Sequence, residues 1–275
     1  MPELPEVATV LKQITPAIID QGIADVKVTP KGERMVAPLT PVSLKKELIG
    51  RRIIRVNRHG KFMTFELDNS KKVVAHLRMS GRLLISDMPL KHLHNRLHIK
   101  FENGKYLNFI DIRRFGTFHL VEKGDTYSGL KKLGPDALSV ELTKDYLKAK
   151  LKGRAKNIYS TLLDQSIVAG LGNIYVNEVL YASRIHPERS AGKVNPAEIE
   201  QILEHTARIL KMAIAYRGTT LIDKSYMDTE GLYGDFFNML KVYGKKDTAC
   251  ERCGTKITRL KIGGRSVYLC ETCAN

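Results

Sequence analysis

The chain has 275 residues, 43% apolar and 27% charged, enough for one large globular domain or two ordinary ones with buried cores. Lys and Arg number 45 against 29 Asp and Glu, a formal charge of +16, which suits a polyanionic partner through phosphate neutralisation and also fits a merely basic soluble enzyme. No run approaches the roughly 18 apolar residues of a membrane span, and no basic segment followed by an apolar stretch opens the chain, so membrane and secreted classes are excluded and a cytoplasmic protein is expected.

Residues 2–19 carry Leu4, Val7, Leu11, Ile14 and Ile18 at the spacing of one helical face, and Pro16 is expected to kink or end that helix. From about 23 to 121 the chain breaks into short alternating segments. Examples are Arg52-Ile53-Ile54-Arg55-Val56, Phe62-Met63-Thr64-Phe65-Glu66-Leu67 and Arg96-Leu97-His98-Ile99-Lys100-Phe101. Turn signals at Asp68-Asn69-Ser70 and Glu102-Asn103-Gly104 separate them, which predicts an antiparallel sandwich or barrel. Near 129–135 the composition shifts and helices dominate. Asn195-Pro196-Ala197-Glu198 reads as an N-cap with proline at the first helical position, followed by apolar residues at helical spacing toward Gly218. A domain boundary is expected near residue 133.

All four cysteines lie in the last 26 residues, as Cys250-x2-Cys253 and Cys270-x2-Cys273 with 16 residues between the pairs. That spacing fits a two-knuckle zinc ribbon, in which four thiolates close a tetrahedral, structural site holding one zinc. Two disulfides in a small tail are the alternative. Gly263-Gly264-Arg265 is expected to present the arginine outward from a tight turn between the knuckles.

The chain opens Met1-Pro2-Glu3-Leu4-Pro5-Glu6-Val7. With Met1 removed, Pro2 carries a free secondary amine able to attack an electrophilic sugar carbon and form an iminium, and Glu3 stands beside it as a general acid and base. Proline and glutamate are also favoured in any first helical turn.

Taken together, the motifs resemble those of the formamidopyrimidine-DNA glycosylases, the bacterial 8-oxoguanine repair enzymes. The likeness lies in the opening string, His76-Leu77-Arg78-Met79-Ser80-Gly81, Asp111-Ile112-Arg113-Arg114-Phe115-Gly116, the run from Asp164 through Gly170-Leu171-Gly172-Asn173 to Tyr175, Arg217-Gly218-Thr219-Thr220, and the four cysteines. It runs the length of the chain. It implies an α+β fold: an N-terminal antiparallel β-sandwich with flanking helices (1–133), a helical domain with a helix–two-turns–helix motif (134–240), and a β-hairpin zinc finger (241–275).

The resemblance further implies a bifunctional glycosylase and abasic-site lyase acting on oxidised purines in duplex DNA, with no small-molecule cofactor and as a monomer. Pro2 corresponds to the nucleophile at C1′, Glu3 to the proton donor and acceptor, and Glu6 to a supporting carboxylate. Lys61 corresponds to the lysine near the lesion phosphates. His76 falls in a DNA-contacting loop of the family. Met79, Arg113 and Phe115 correspond to the residues that fill the gap left by an extruded nucleotide, and their types suit that role: an adaptable thioether, a donor for the orphaned cytosine and an apolar wedge. Asn173 and Arg265 correspond to residues that hold phosphates flanking the lesion; Asn173 also reads as an ordinary N-cap.

The sequence departs from the family at Ala8, where glutamate is common, and at Lys245-Lys246-Asp247-Thr248-Ala249. It departs again over 222–237, including Lys224, Met227 and Asp235, where the family covers the flipped base. Leu4 fits the purine-directed branch better than an endonuclease VIII-like enzyme preferring oxidised pyrimidines. A non-catalytic zinc-finger DNA binder is the remaining alternative.

Overall fold

A computed structural model describes residues 1–221 and 226–275; Lys224 and its neighbours in the divergent stretch lie outside the described residues. The chain forms two compact units, Met1–Lys131 with Tyr216–Asp235, and Lys132–Ala215 with Phe236–Asn275. Sequence patterning runs the helical domain continuously from 134 to 240, whereas residues 216–235 pack with the first unit. The reason is local: Tyr226 is buried among the first unit's core residues, and the Thr219 amide donates to the Glu6 carboxylate.

In the first unit, helix α1 (Leu4–Ile18) buries Leu4, Val7, Leu11, Ile14 and Ile18 as its spacing predicts. Pro16 does not end it. A proline in the last turn removes only the amide that would bond to the Lys12 carbonyl, and that side of the helix is exposed to water. Strand β1 (Ile23–Val28) follows, then the short helix α2 (Glu33–Val36) and helix α3 (Pro41–Leu48). Pro41 sits in the first turn of α3, and the Thr40 side chain caps it by accepting from the Ser43 amide.

Seven strands come next: β2 (Ile53–His59), β3 (Phe62–Leu67), β4 (Lys72–His76), β5 (Gly81–Ser86), β6 (Asn95–Phe101), β7 (Tyr106–Asp111) and β8 (Thr117–Val121). They make two four-stranded antiparallel sheets, ordered β1-β6-β7-β5 and β2-β3-β4-β8. Residues from both sheets, with the apolar stripe of α1, form one core that includes Phe65, Phe101, Phe109 and Phe118. The expected turns at 68–70 and 102–104 close the β3–β4 and β6–β7 hairpins. The short helix α4 (Ser128–Lys131) ends this stretch.

The second unit holds helices α5 (Lys144–Leu151), α6 (Ile158–Leu162), α7 (Asn173–Ala182) and α8 (Pro196–Ala215). Thr143 and Asn157 cap α5 and α6 with their side-chain oxygens. Asn195 caps α8 by accepting from the Ala197 and Glu198 amides, while Glu198 accepts from the Asn195 amide, a capping box. Helix α7 is buried from Ile174 through Leu180, including the polar Asn177 and Glu178, as a helix wrapped by neighbours must be. The finger is a hairpin of β9 (Thr258–Ile262) and β10 (Arg265–Leu269), closed by Gly263 and Gly264. Both glycines have positive φ (55° and 78°), the geometry of a two-residue turn that a side chain would strain. No described helix is long and apolar enough to cross a membrane.

Candidate active site and nucleic-acid interface

The candidate chemistry begins at the N-terminus of α1. Met1 is exposed, while Pro2, Glu3 and Glu6 are buried. One Glu6 oxygen accepts the Glu3 amide at 2.8 Å, and the other accepts the Thr219 amide at 2.7 Å. Gly218 precedes that amide with φ +82°, and a Cβ there would lie 2.8 Å from Glu6 Oε1. Glycine is therefore what lets the 216–221 backbone reach the carboxylate.

Two loops of the same unit supply a shaped surface. Met79 lies between β4 and β5, and Arg113 and Phe115 lie between β7 and β8. Met79 is 39% exposed and Phe115 46%, a poor use of apolar side chains unless something covers them. The Arg113 guanidinium lies 5.2 Å from the Phe115 ring centroid, a cation–π contact that orients both. Asp111, fully buried at the end of β7, ties the loops together. Its Oδ1 accepts from the Ser80 hydroxyl at 2.6 Å and from the Arg113 amide, and its Oδ2 accepts from the Gly116 amide at 2.7 Å. The buried Arg96 in turn donates to the Asp111 carbonyl. A cavity of about 460 Å³ opens on this unit, lined by Met1, Arg34, Arg78, Met79, Arg114 and Phe115 among others. Three arginines around an apolar floor suit an anionic ligand with a flat, apolar part.

Lys61 sits in the two-residue turn between paired His59 and Phe62, only 6% exposed, so it is not a solvated edge lysine. His76, at the end of β4, is equally buried and packs edge-on to Phe62 with centroids 4.5 Å apart. Its Nδ1 accepts the Arg78 amide at 2.8 Å, which leaves the proton on Nε2. Burial, with the Arg78 and Lys61 charges adding to it, pushes the His76 pKa down to about 3. The ring is a neutral donor throughout the physiological range.

In the second unit Gly172, not Asn173, is the N-cap of α7. Asn173 occupies the first helical position, accepts the Tyr159 hydroxyl at 2.5 Å and donates to the Ser266 carbonyl at 3.3 Å. One turn on, Asn177 accepts the Tyr268 amide at 2.6 Å. The helix is thus laced to β10, whose first residue, Arg265, stays exposed.

Cys250, Cys253, Cys270 and Cys273 are free thiols whose sulfurs all lie within 4.8 Å of one another. Sulfur separations of 3.4, 3.5 and 3.9 Å match the edge of a tetrahedron of thiolates about 2.3 Å from a zinc ion. The four cysteines make a closed site for one structural zinc. The Tyr181 hydroxyl lies 3.3 Å from Cys250 Sγ, placed to donate to a metal-bound thiolate.

Comparison with known proteins decides the lineage. The chain matches the family profiles of the formamidopyrimidine-DNA glycosylase N-terminal domain over residues 1–118, the formamidopyrimidine-DNA glycosylase H2TH domain over 133–225, and the zinc finger found in FPG and IleRS over 249–275. A formamidopyrimidine-DNA glycosylase of Bacillus cereus is 40% identical, with 99% of each chain covered, and one of Lactobacillus gasseri is 36% identical, with 99% and 98% covered. Among solved structures, a Lactococcus lactis FPG variant bound to Fapy-dG-containing DNA superposes with a TM-score of 0.90 at 35% identity over 100% of both chains. The Thermus thermophilus MutM (FPG) protein gives 0.88 at 33%, covering 99% and 98%. The chain belongs to the formamidopyrimidine-DNA glycosylase family.

Several residues that shape this glycosylase-family site have roles that no local sequence pattern reveals. Ser80, Asp111 and Arg96 act by buried hydrogen bonds, which composition and periodicity do not report. The same holds for Asn177 and for Glu178, whose buried carboxylate accepts the amides of Lys241, Val242 and Tyr243 and so fixes the approach to the finger. Arg34 is invisible as a cavity residue because it is far in sequence from the other residues lining that cavity.

Proposed function

We infer that this chain removes oxidised purines, 8-oxoguanine and formamidopyrimidines, from duplex DNA and then cuts the strand at the abasic site. The observation that supports this reading is that Met1 lines the arginine-rimmed cavity together with Met79 and Phe115, and buried Pro2 is the next residue in the chain. Support comes also from the relatives: the L. lactis enzyme was solved on Fapy-dG-containing DNA and a MutM on DNA containing carbocyclic 8-oxo-G.

Removal of Met1 leaves Pro2 with a free amine at the cavity. The amine attacks C1′ as the bond from C1′ to the base breaks, and the departing base takes up a proton. Glu3 protonates the ring oxygen as the sugar opens, giving an iminium between Pro2 and C1′. The iminium acidifies the C2′ hydrogen, so a proton leaves and the 3′ phosphate departs, then the 5′ phosphate. Glu6 holds the Glu3 backbone in place. Met79, Arg113 and Phe115 occupy the space vacated by the extruded nucleotide. Lys61 and neutral His76 bind lesion phosphates, and Asn173 and Arg265 bind flanking ones. In this reading the first unit, residues 1–131 with 216–235, carries the chemistry, and the second, 132–215 with 236–275, grips the duplex. The protein works as a cytoplasmic monomer, with the structural zinc as its cofactor.

The test compares initial rates on duplexes carrying 8-oxoguanine opposite cytosine and thymine glycol. The proposal requires the purine lesion to be favoured; preference for thymine glycol would make this an enzyme for oxidised pyrimidines. Binding without excision of either base would leave only a DNA-binding protein.

A further inference from the structure

Helix α1 carries a polar face of which the proposed chemistry uses only Glu6. Glu6, Thr9 and Gln13 follow one another at three- and four-residue steps, so they share one face of the helix. Every one of them meets the 216–235 segment. Glu6 accepts the Thr219 amide, and Thr9 reaches the Tyr226 phenol. Gln13 Nε2 donates to Asp228 Oδ2 at 2.9 Å, and its Oε1 accepts both the Thr229 amide and the Thr229 hydroxyl at 3.1 Å. Only one orientation of the amide satisfies a carboxylate on one side and an N–H on the other, so the pairing has a fixed polarity.

The far ends of the segment are also joined. Asp228 is fully buried, and its other oxygen accepts the Glu230 and Leu232 amides. The Tyr226 hydroxyl donates to the Arg217 carbonyl, Thr220 Oγ1 donates to the Tyr226 carbonyl, and the Gly234 amide donates to Thr220 Oγ1. Arg217 pairs with Asp235 at 2.7 Å. A displacement at 228–229 therefore reaches Thr219 through bonded neighbours, and Thr219 shares the Glu6 carboxylate with the Glu3 amide.

We propose that Gln13 is a positioning residue for base excision: by clamping Asp228 and Thr229 to α1 it keeps Thr219 on Glu6, and thereby Glu3 and Pro2 in register. This rests on the proposed function. The effect should fall on excision, which needs nucleophile, acid and an intact base aligned together. Cleavage of a ready-made abasic site, whose open-chain aldehyde condenses with the amine unaided, should be spared. A misplacement of about 1 Å in such an alignment can cost roughly a hundredfold.

A polarity swap tests it. Gln13→Glu sets two carboxylates against each other, and Asp228→Asn sets two amide donors against each other. The double variant restores one donor facing one acceptor, while the carboxylate introduced at position 13 still accepts from Thr229. Each single variant, and Gln13→Leu, is expected to slow single-turnover excision of 8-oxoguanine by about tenfold or more. The double variant should recover to within about threefold of the parent, and abasic-site cleavage should change by less than about threefold throughout. Amide hydrogen exchange reads the clamp without any activity: Thr219 and Thr229 should exchange slowly in the parent and the double variant and fast in the single ones. Parent-like excision in Gln13→Leu overturns the assignment, as do equal losses in excision and abasic cleavage, or unchanged exchange in the single variants. A parent protein that excises nothing while its exchange pattern follows the swap would sink the proposed function and leave the clamp standing.

Discussion

Ser80, in the loop before β5, and Asp111, the last residue of β7, lie 31 residues apart and are joined by a 2.6 Å hydrogen bond to a fully buried carboxylate. Ser80 Oγ also accepts the Arg113 amide at 3.0 Å, so one hydroxyl links the Met79 loop to the Arg113–Phe115 loop. The exposed residues on the two loops are therefore presented as one surface.

From this, Ser80→Ala is expected to cost about 1–3 kcal/mol of stability, the penalty for depriving a buried carboxylate of a donor. It should also slow 8-oxoguanine excision more than it weakens binding to undamaged duplex. Thermal melting and single-turnover kinetics check both. Unchanged kinetics would mean that the two loops do not have to act together.

His76 gives a pH signature. Its pKa of about 3 in the folded chain lies well below the ordinary value of 6.5, because burial and the Arg78 and Lys61 charges disfavour the imidazolium. Between those values the unfolded chain binds a proton that the folded chain does not. The contribution of His76 to stability is thus intact above pH 6.5 and is lost progressively as pH falls toward 3, by up to about 1.4 kcal/mol per pH unit. Denaturation of the parent and of His76→Gln from about pH 4 to 7 should show the variant with the shallower slope. Equal slopes would place the histidine in a wetter environment than its burial indicates.

Zinc removal should disable DNA binding rather than only the chemistry. Arg265 starts β10, and that hairpin closes on the four thiolates, so its position depends on the metal. Chelation is expected to abolish affinity for abasic-site DNA, measured by fluorescence anisotropy. Full affinity in metal-free protein would separate the finger from recognition.

Arg265→Ala in the zinc-loaded protein should weaken abasic-site binding at low salt. It should also reduce the slope of log affinity against log salt by about 1, the signature of one lost phosphate contact. An unaltered slope would show that the exposed arginine meets no phosphate.

How far the sequence can be read depends on whether a feature is periodic, local or assembled. The apolar stripe of α1, the β-hairpin turns and the N-cap with its proline before α8 are short-range patterns, and they appear where expected. The cysteine spacing is legible because one ion demands four thiolates in one place. Pro16 misleads because the cost of a proline depends on which carbonyl it orphans, and Lys12 faces water. Residues 216–235 follow the helical stretch in sequence but pack with the first unit, since hydrogen bonds from α1 outweigh chain proximity. Gln13, Asp228, Asp111 and Ser80 give no sign of their roles, because a buried hydrogen bond between distant residues leaves no period to detect.

In the proposed reaction the Pro2 nitrogen bonds to the damaged sugar. Intact mass of the protein incubated with 8-oxoguanine duplex and borohydride measures this directly. Protein lacking Met1 should gain the mass of a reduced DNA adduct that maps to its first residue, and Pro2→Gly should lose most of it. A processed protein that cuts the strand yet forms no adduct, or forms it on a lysine such as Lys61, would contradict the account.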